Sequence, residues 1–282
     1  MYTSYYGMSC NPFLKEVSTE NKFESKDYIQ LTNRYNYLKE IKGLGVFTGP
    51  PGYGKTFSVR SFINNTNQDL YKIIYLSIAD KYTLFDFYKE IGKALNIDTG
   101  ACYRTDLYSS IQKELVNLVE IHKVQPVIIV DDAHNLSREI LKSLKVLFDF
   151  LMDSKDYTIL ILIGHPELKT ELSKNVYEFL HQRIIVNYNM QGLTREEVKE
   201  YIKTRLEIAN VNNDIFQDDA INALYSCSKS SPRRLNALIL NALMLGYQYK
   251  LDKINSEIIM EAKGEMDLAW QISFTMNMQL MK

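Results

Sequence analysis

Eight residues, GPPGYGKT from Gly49 to Thr56, set two glycines at a tip and follow them with a lysine and a threonine. The spacing satisfies G-x-x-x-x-G-K-[ST], and each residue type has a task in holding a polyphosphate. Gly52 and Gly54 let the backbone turn inward, so that successive N–H groups and the start of the next helix face phosphate oxygens. Lys55 is placed to reach the β- and γ-phosphates, and Thr56 to hold Mg²⁺ through its hydroxyl. Gly49, Pro50, Pro51, Tyr53 and Phe57 complete the nucleotide-binding stretch. The plain alternative is a Gly/Pro-rich turn with a solvated lysine, and the strand-to-helix setting speaks against it.

A second stretch, VIIVDDAH at residues 127–134, places two acids directly after a run built for burial. A phosphate loop needs an acid at the end of a neighbouring buried strand to bind the magnesium shell, and Asp131 stands there. Asp132 either orients or deprotonates the attacking water, or caps the helix that follows, with Asn135 and Ser137 as competing caps. Aspartate reaches one methylene less far than glutamate would. His134 reads as a packing or hydrogen-bonding residue, because no second His or Cys lies at ligand spacing.

These residues need a scaffold, and the periodicity supplies one. Short apolar runs rich in β-branched and aromatic residues predict strands at Leu44 to Thr48, Lys72 to Ile78, Val127 to Asp131, Thr158 to Ile163 and Ile184 to Tyr188. Helical stretches alternate with them at Lys55 to Ile63, Leu84 to Leu95, Leu107 to His122 and Arg138 to Met152. Such alternation describes an α/β fold: a parallel five-stranded sheet covered by helices on both faces. After Tyr188 the strand signal stops. Thr194 with Glu197 forms a capping box that opens a run of helices. The expected organisation is an α/β core over residues 1–191, a small all-helical lid over 192–265 and a Met-rich tail over 266–282.

Composition sets outer limits. The chain of 282 residues is 46% hydrophobic, enough for a substantial core. Its 33 basic and 34 acidic residues give no global attraction to nucleic acid or an anionic membrane, so any basic surface is local. Cys10, Cys102 and Cys227 are odd in number and lack metal or disulfide patterning, which suits a reducing compartment. No stretch reaches the roughly 18 apolar residues of a spanning helix, and a cytoplasmic location without membrane contact is the expectation.

GPPGYGKT, VIIVDDAHN, LIGHPEL, LHQRI and SPRRLN occur in the order found in AAA+ ATPases, and with the opening YYGMSCNPF the chain resembles the ExeA-type and transposition-regulator group, which includes TnsC and MuB. The resemblance implies ATP and Mg²⁺ as cofactors and assembly into a ring or helical filament. It places His165 where a polar sensor, often glutamine, contacts the γ-phosphate or the catalytic water. It implies that Arg183 is an arginine finger acting in a neighbouring subunit, and that Arg233 is the sensor-two arginine, with Arg234 competing. Ser230 stands where that pattern usually has glycine. Pro12 and Phe13 are implied to lie against the adenine, although a buried N-terminal staple would read the same way.

The function that the resemblance implies is ATP-dependent assembly on duplex DNA, without sequence preference, to recruit or activate a DDE-type transposase. Lys81, Tyr82, Thr83, Lys93 and Arg104 are the candidate DNA contacts, and an amphipathic helix with a solvated lysine face has the same spacing. The alternative is an ExeA-like ATPase serving a secretion or pilus assembly system; those relatives add a membrane span and a cell-wall module, which this sequence does not display. A binding-only switch is a third reading.

Overall fold

The computed structural model describes residues 1–14, 22–78, 82–99, 104–147, 157–212 and 214–267. They form two compact units. One holds Tyr28–Pro51 and Lys55–Met190; the other holds Met1–Asp27, Gly52–Gly54 and Gln191–Lys282.

In the first unit five parallel strands form one sheet in the order β2-β3-β4-β1-β5, with β1 Gly43–Thr48, β2 Tyr71–Ser77, β3 Gln125–Asp131, β4 Ile159–Gly164 and β5 Ile184–Asn189. Each expected strand is present within two residues of its expected ends. The central β1 and β4 are buried along their whole length, because helices cover both faces and no residue can point to water. The edge strands β2 and β5 alternate with exposed residues instead. Since every pairing is parallel, all strand C-termini share one edge of the sheet, where α/β folds place their ligands.

The helices follow from spacing and caps. The first, α1, is a single turn at Tyr2–Tyr5. The sequence reading placed no element over α2, Lys26–Ile41, where tyrosines stand in for aliphatic residues. Its buried positions Tyr28, Leu31, Tyr35 and Leu38 nonetheless recur at helical spacing. Gly45 allows this helix to approach β1: a Cβ there would stand 2.4 Å from Leu38 Cδ1. On the same face α3, Lys55–Asn64, carries Phe62, whose ring lies 5.0 Å from that of Tyr35. The opposite face is covered by α4, Leu84–Ala94, and α5, Arg104–Glu120, with Phe87, Ile91, Leu107 and Ile111 fully buried. Each such side chain contributes about 1.5–3 kcal/mol.

The expected helix from Arg138 to Met152 is shorter among the described residues. It is α6, Arg138–Ser143, followed by a 3₁₀ turn at Leu144–Leu147; residues 148–152 lie outside the described residues. Two bonds mark the change of winding. Tyr88 Oη donates to the Ser143 carbonyl at 2.8 Å, and Ser143 Oγ donates back to the Ile140 carbonyl at 2.7 Å. Two short helices, α7 Pro166–Leu172 and α8 Glu178–His181, connect β4 to β5.

The second unit is helical: α9 Arg195–Ile208, α10 Asp218–Ser228, α11 Pro232–Gln248 and a last helix over residues 256–267. The Thr194–Glu197 capping box is formed as the sequence indicates. The segment Met1–Asp27, expected with the α/β core, groups here because Tyr6, Met8 and Phe13 are buried among Val198, Ile202, Leu235 and Ile239. Backbone bonds tie it down. Asp27 carboxylate oxygens accept from the Gln191 and Gly192 amides at 3.0 and 2.8 Å, and Glu197 Oε1 accepts from the Lys26 amide at 2.6 Å.

Candidate functional site

The site begins where β1 ends. Gly49 N–H donates to the Gly164 carbonyl at 3.2 Å, and Met190 N–H donates to the Thr48 carbonyl at 2.8 Å, so the loop leaves the sheet clamped between β4 and the residue after β5. A side chain at position 49 would be forced to within 2.9 Å of Met190 Cβ, which is why glycine stands there. Lys55 opens α3 and is buried; its ammonium donates to the carbonyls of Gly49 at 2.6 Å and Pro50 at 3.0 Å. The cation thus lies under the loop whose amides would face a phosphate. Gly52 and Gly54 have φ of +83° and +96°, the left-handed conformation that the motif demands of glycine.

Thr56 Oγ1 donates to Asp131 Oδ2 at 2.7 Å. Asp131 is buried at the end of β3, and its other oxygen accepts from the Asp132 amide at 2.9 Å. A hydroxyl and a carboxylate side by side are hard oxygen donors, the chemistry that Mg²⁺ selects. The residues present therefore fit the ion that the motif implies. A third group went unnoticed in the sequence: Tyr75 Oη donates to the same Asp131 Oδ2 at 3.0 Å. Burial, then the Asp131 charge, push the Tyr75 pKa up to about 12, which keeps the phenol a donor. No motif marks Tyr75. It meets Asp131 because Ser77 pairs with Asp131 and residues two apart on a strand share a face.

Asp132 has φ of +54°. Its side chain makes no cap bond, and Ser137 Oγ caps α6 instead by accepting from the Ile140 amide at 3.3 Å. The capping role is thus taken elsewhere, and the carboxylate lies 4.0 Å from His134 Nδ1. His134 and His165 stack with ring centroids 3.9 Å apart and planes inclined by 21°. Along the chain no second histidine stands at ligand spacing from His134. The partner comes from the end of β4. His165 precedes Pro166 at the start of α7, and its amide lies 3.4 Å from His134 Nδ1. Its pKa is lowered, first by burial, then by His134 and Lys55, with Asp132 and Glu167 opposing. A neutral ring is favoured.

Arg183 lies in the turn between α8 and β5, half-buried, with its carbonyl accepting from the Leu44 amide at 3.2 Å. In the helical unit the exposed Arg233 lies in the first turn of α11, and its amide donates to the Gly52 carbonyl at 3.3 Å. A Cβ on Gly52 would stand 3.0 Å from Arg233 Cβ. The Arg234 amide points instead to Ser231 Oγ at 3.5 Å. Ser230 has φ of +60°, which explains why glycine is usual there. Tyr53 Oη donates to the Lys229 carbonyl at 2.9 Å. Pro12 and Phe13 are buried, and Phe13 is part of the helical unit's own core, the arrangement of an N-terminal staple.

Of the candidate DNA contacts, Lys81 lies outside the described residues. Tyr82 packs against the core, Thr83 caps α4 in a box with Asp86, and Lys93 pairs with Glu90 at 2.7 Å. Arg104 is the first residue of α5. Among the described residues no helix is long and apolar enough to cross a membrane.

Comparison with known proteins agrees with this geometry. Residues 39–172 match a protein-family model described as an AAA domain. The chain is 28% identical over 257 residues to the general secretion pathway protein A of Aeromonas hydrophila, covering 90% of this chain and 46% of that relative. It is 22% identical over 281 residues to a potential ATP-binding protein of Staphylococcus aureus, covering 89% of this chain and 98% of the relative. Among solved structures, the Drosophila ORC bound to DNA aligns over 94% of this chain and 66% of its own with a TM-score of 0.67 at 14% identity, a likeness of fold. The chain is an ATPase with the P-loop AAA+ fold.

Proposed function

We propose that the chain is the ATP-hydrolysing switch of an assembly machine of the ExeA type, in which ATP binding favours an assembled state and hydrolysis releases it. The observation that supports the reading is the Thr56–Asp131 bond of 2.7 Å next to the buried Lys55, the residue types that the phosphate-loop pattern assigns to magnesium and phosphate. The similarity to the secretion pathway protein over 90% of this chain supports the choice of machine.

In this reading Lys55 exchanges its bonds to the Gly49 and Pro50 carbonyls for phosphate oxygens. Thr56 and Asp131 would hold Mg²⁺, which would supply positive charge beside the phosphates. Asp132 orients the attacking water, and His165 hydrogen-bonds that water or the γ-phosphate. Arg233 acts as the sensor of the helical unit in preference to Arg234, since Arg233 is the one whose amide and Cβ adjoin Gly52. Arg183 completes a neighbouring subunit's site. Loss of the γ-phosphate then removes the contacts that favour assembly.

The second reading is assembly on duplex DNA as a regulator of a DDE-type transposase. It draws on the quoted motifs and on a fold shared with an ORC described as bound to DNA. One experiment tests both. Sedimentation of the purified chain is followed with Mg²⁺ and either ATP or ADP, with and without duplex DNA. Assembly with ATP alone supports the first reading, and assembly that requires the duplex supports the second. An unchanged monomer under every condition removes both.

A further inference from the structure

Asp132, His134 and His165 each offer one ligand atom, and the three atoms lie within 4.8 Å of one another. All three belong to the α/β unit, and each is held by its backbone. Asp132 sits in a left-handed turn; His134 lies in the 3₁₀ turn Ala133–Asn135, which Asn135 Nδ2 fastens to the Ile78 carbonyl at 2.8 Å; His165 is fixed between β4 and Pro166. The stacked rings therefore present their edges from neighbouring strand ends, and the Asp132 carboxylate, 43% exposed, closes the third side.

The donor set is two imidazoles and one carboxylate. Mg²⁺ and Ca²⁺ prefer oxygen alone, whereas imidazole suits zinc, cobalt, nickel and copper. A tetrahedral ion with bonds of about 2.0–2.1 Å needs donors roughly 3.3 Å apart, so the cluster must contract by about 1–1.5 Å. Rotation of the exposed Asp132 side chain supplies part of that, and one imidazole must swing out of the stack so that both ring nitrogens point at the ion. Three protein ligands leave a fourth position for water.

We propose that Asp132, His134 and His165 form a binding site for a divalent transition-metal ion of the Zn²⁺ class, and that filling it arrests ATP turnover. The arrest rests on the catalytic reading above. The ion takes the Asp132 carboxylate from the attacking water and turns His165 away from the γ-phosphate. Lys55 and Thr56 are not among its ligands, so nucleotide binding persists.

The test uses the full chain, stripped of metal by chelation and titrated with Co²⁺ in the absence of nucleotide. The expected result is one equivalent of Co²⁺ with visible d–d absorption, displaced by Zn²⁺. His134→Gln and His165→Gln each weaken binding beyond the about 10–100-fold cost of losing an outer-shell partner. His134→Gln keeps its ATP turnover with Mg²⁺ in the absence of Zn²⁺ and loses its inhibition by Zn²⁺. Thermal melting keeps the comparison sound: the ion raises the midpoint of the wild type by mass action and not that of a folded variant. Should His134→Gln not fold, His165→Gln carries the binding comparison. The site is overturned if Co²⁺ fails to bind stoichiometrically or binds both variants as it binds the wild type. The arrest is overturned if Zn²⁺ binds and turnover continues. A chain free of Co²⁺ and Zn²⁺ that shows no ATPase activity with Mg²⁺ would count against the catalytic reading alone, since the Co²⁺ titration needs no nucleotide.

Discussion

Thr56 Oγ1 and Asp131 Oδ2 are 2.7 Å apart although 75 positions separate them in the chain. The bond joins the first turn of α3 to the end of β3, and Tyr75 from the edge strand β2 donates to the same oxygen at 3.0 Å. Three elements thereby converge on one carboxylate oxygen. Tyr75→Phe removes one donor while leaving the ring in place. The expected outcome is an approximately tenfold higher Mg²⁺ concentration for half-maximal ATP turnover, as for other outer-shell partners. A magnesium titration at saturating ATP checks it, and an unchanged midpoint would deny Tyr75 a positioning role.

Lys55→Ala deletes the buried cation under the loop. A hydrogen bond to a charged group is worth about 1.5–3 kcal/mol, so ATP affinity should fall at least roughly 10- to 150-fold. Fluorescent-nucleotide titration measures this directly. Wild-type affinity in the variant would contradict the site assignment.

Asp132→Asn keeps the shape of the side chain and removes the base. ATP binding should persist while turnover falls about 10²- to 10⁴-fold, the range for a general acid–base group. Single-turnover hydrolysis separates the two quantities, and a variant that hydrolyses normally would exclude Asp132 from the chemistry.

Arg183→Ala and Lys55→Ala disable different halves of a shared site. Each alone should be inactive, and mixing them should restore some hydrolysis, since an arginine supplied in trans can be worth about 10³–10⁵ in rate. Activity measured across mixing ratios decides the matter. Silence at every ratio would remove the trans assignment.

Gly192 and Ser230 meet in the helical unit with opposite tolerances. Gly192 has φ of +79°, and a Cβ there would stand 2.5 Å from the Ser230 carbonyl oxygen. Gly192→Ala should cost about 1–3 kcal/mol from strain alone. Ser230, at φ of +60°, already bears a side chain in the left-handed region, so Ser230→Gly should be neutral or stabilising by up to about 1 kcal/mol. Denaturant midpoints of both variants test the pair, and a destabilised Ser230→Gly would show that the serine side chain outweighs its backbone strain.

Much of this was readable before any coordinate. The phosphate loop, Asp131 and the capping box of α9 depend on residues within a few positions of each other, and local spacing is what a sequence displays. The inner strands announced themselves for a related reason, since parallel strands covered on both faces must be apolar throughout, while the edge strands β2 and β5 showed as short runs of β-branched and aromatic residues. Helix α2 lay hidden because half of its buried stripe, Tyr28 and Tyr35, is tyrosine rather than aliphatic. Phe13, expected either against an adenine or as a buried N-terminal staple, is a core residue of the helical unit, and burial in either place demands the same aromatic side chain.

What the sequence determined by itself was the phosphate-binding chemistry, the parallel α/β scaffold and the switch to helices after Tyr188. Tertiary structure alone decided that Tyr75 reaches Asp131, that His165 stacks on His134, and that Met1–Asp27 joins the helical unit. The reason is physical. Contacts fixed by backbone continuity have a constant separation along the chain, whereas contacts fixed by strand register and side-chain packing have none, and only the folded chain brings them together.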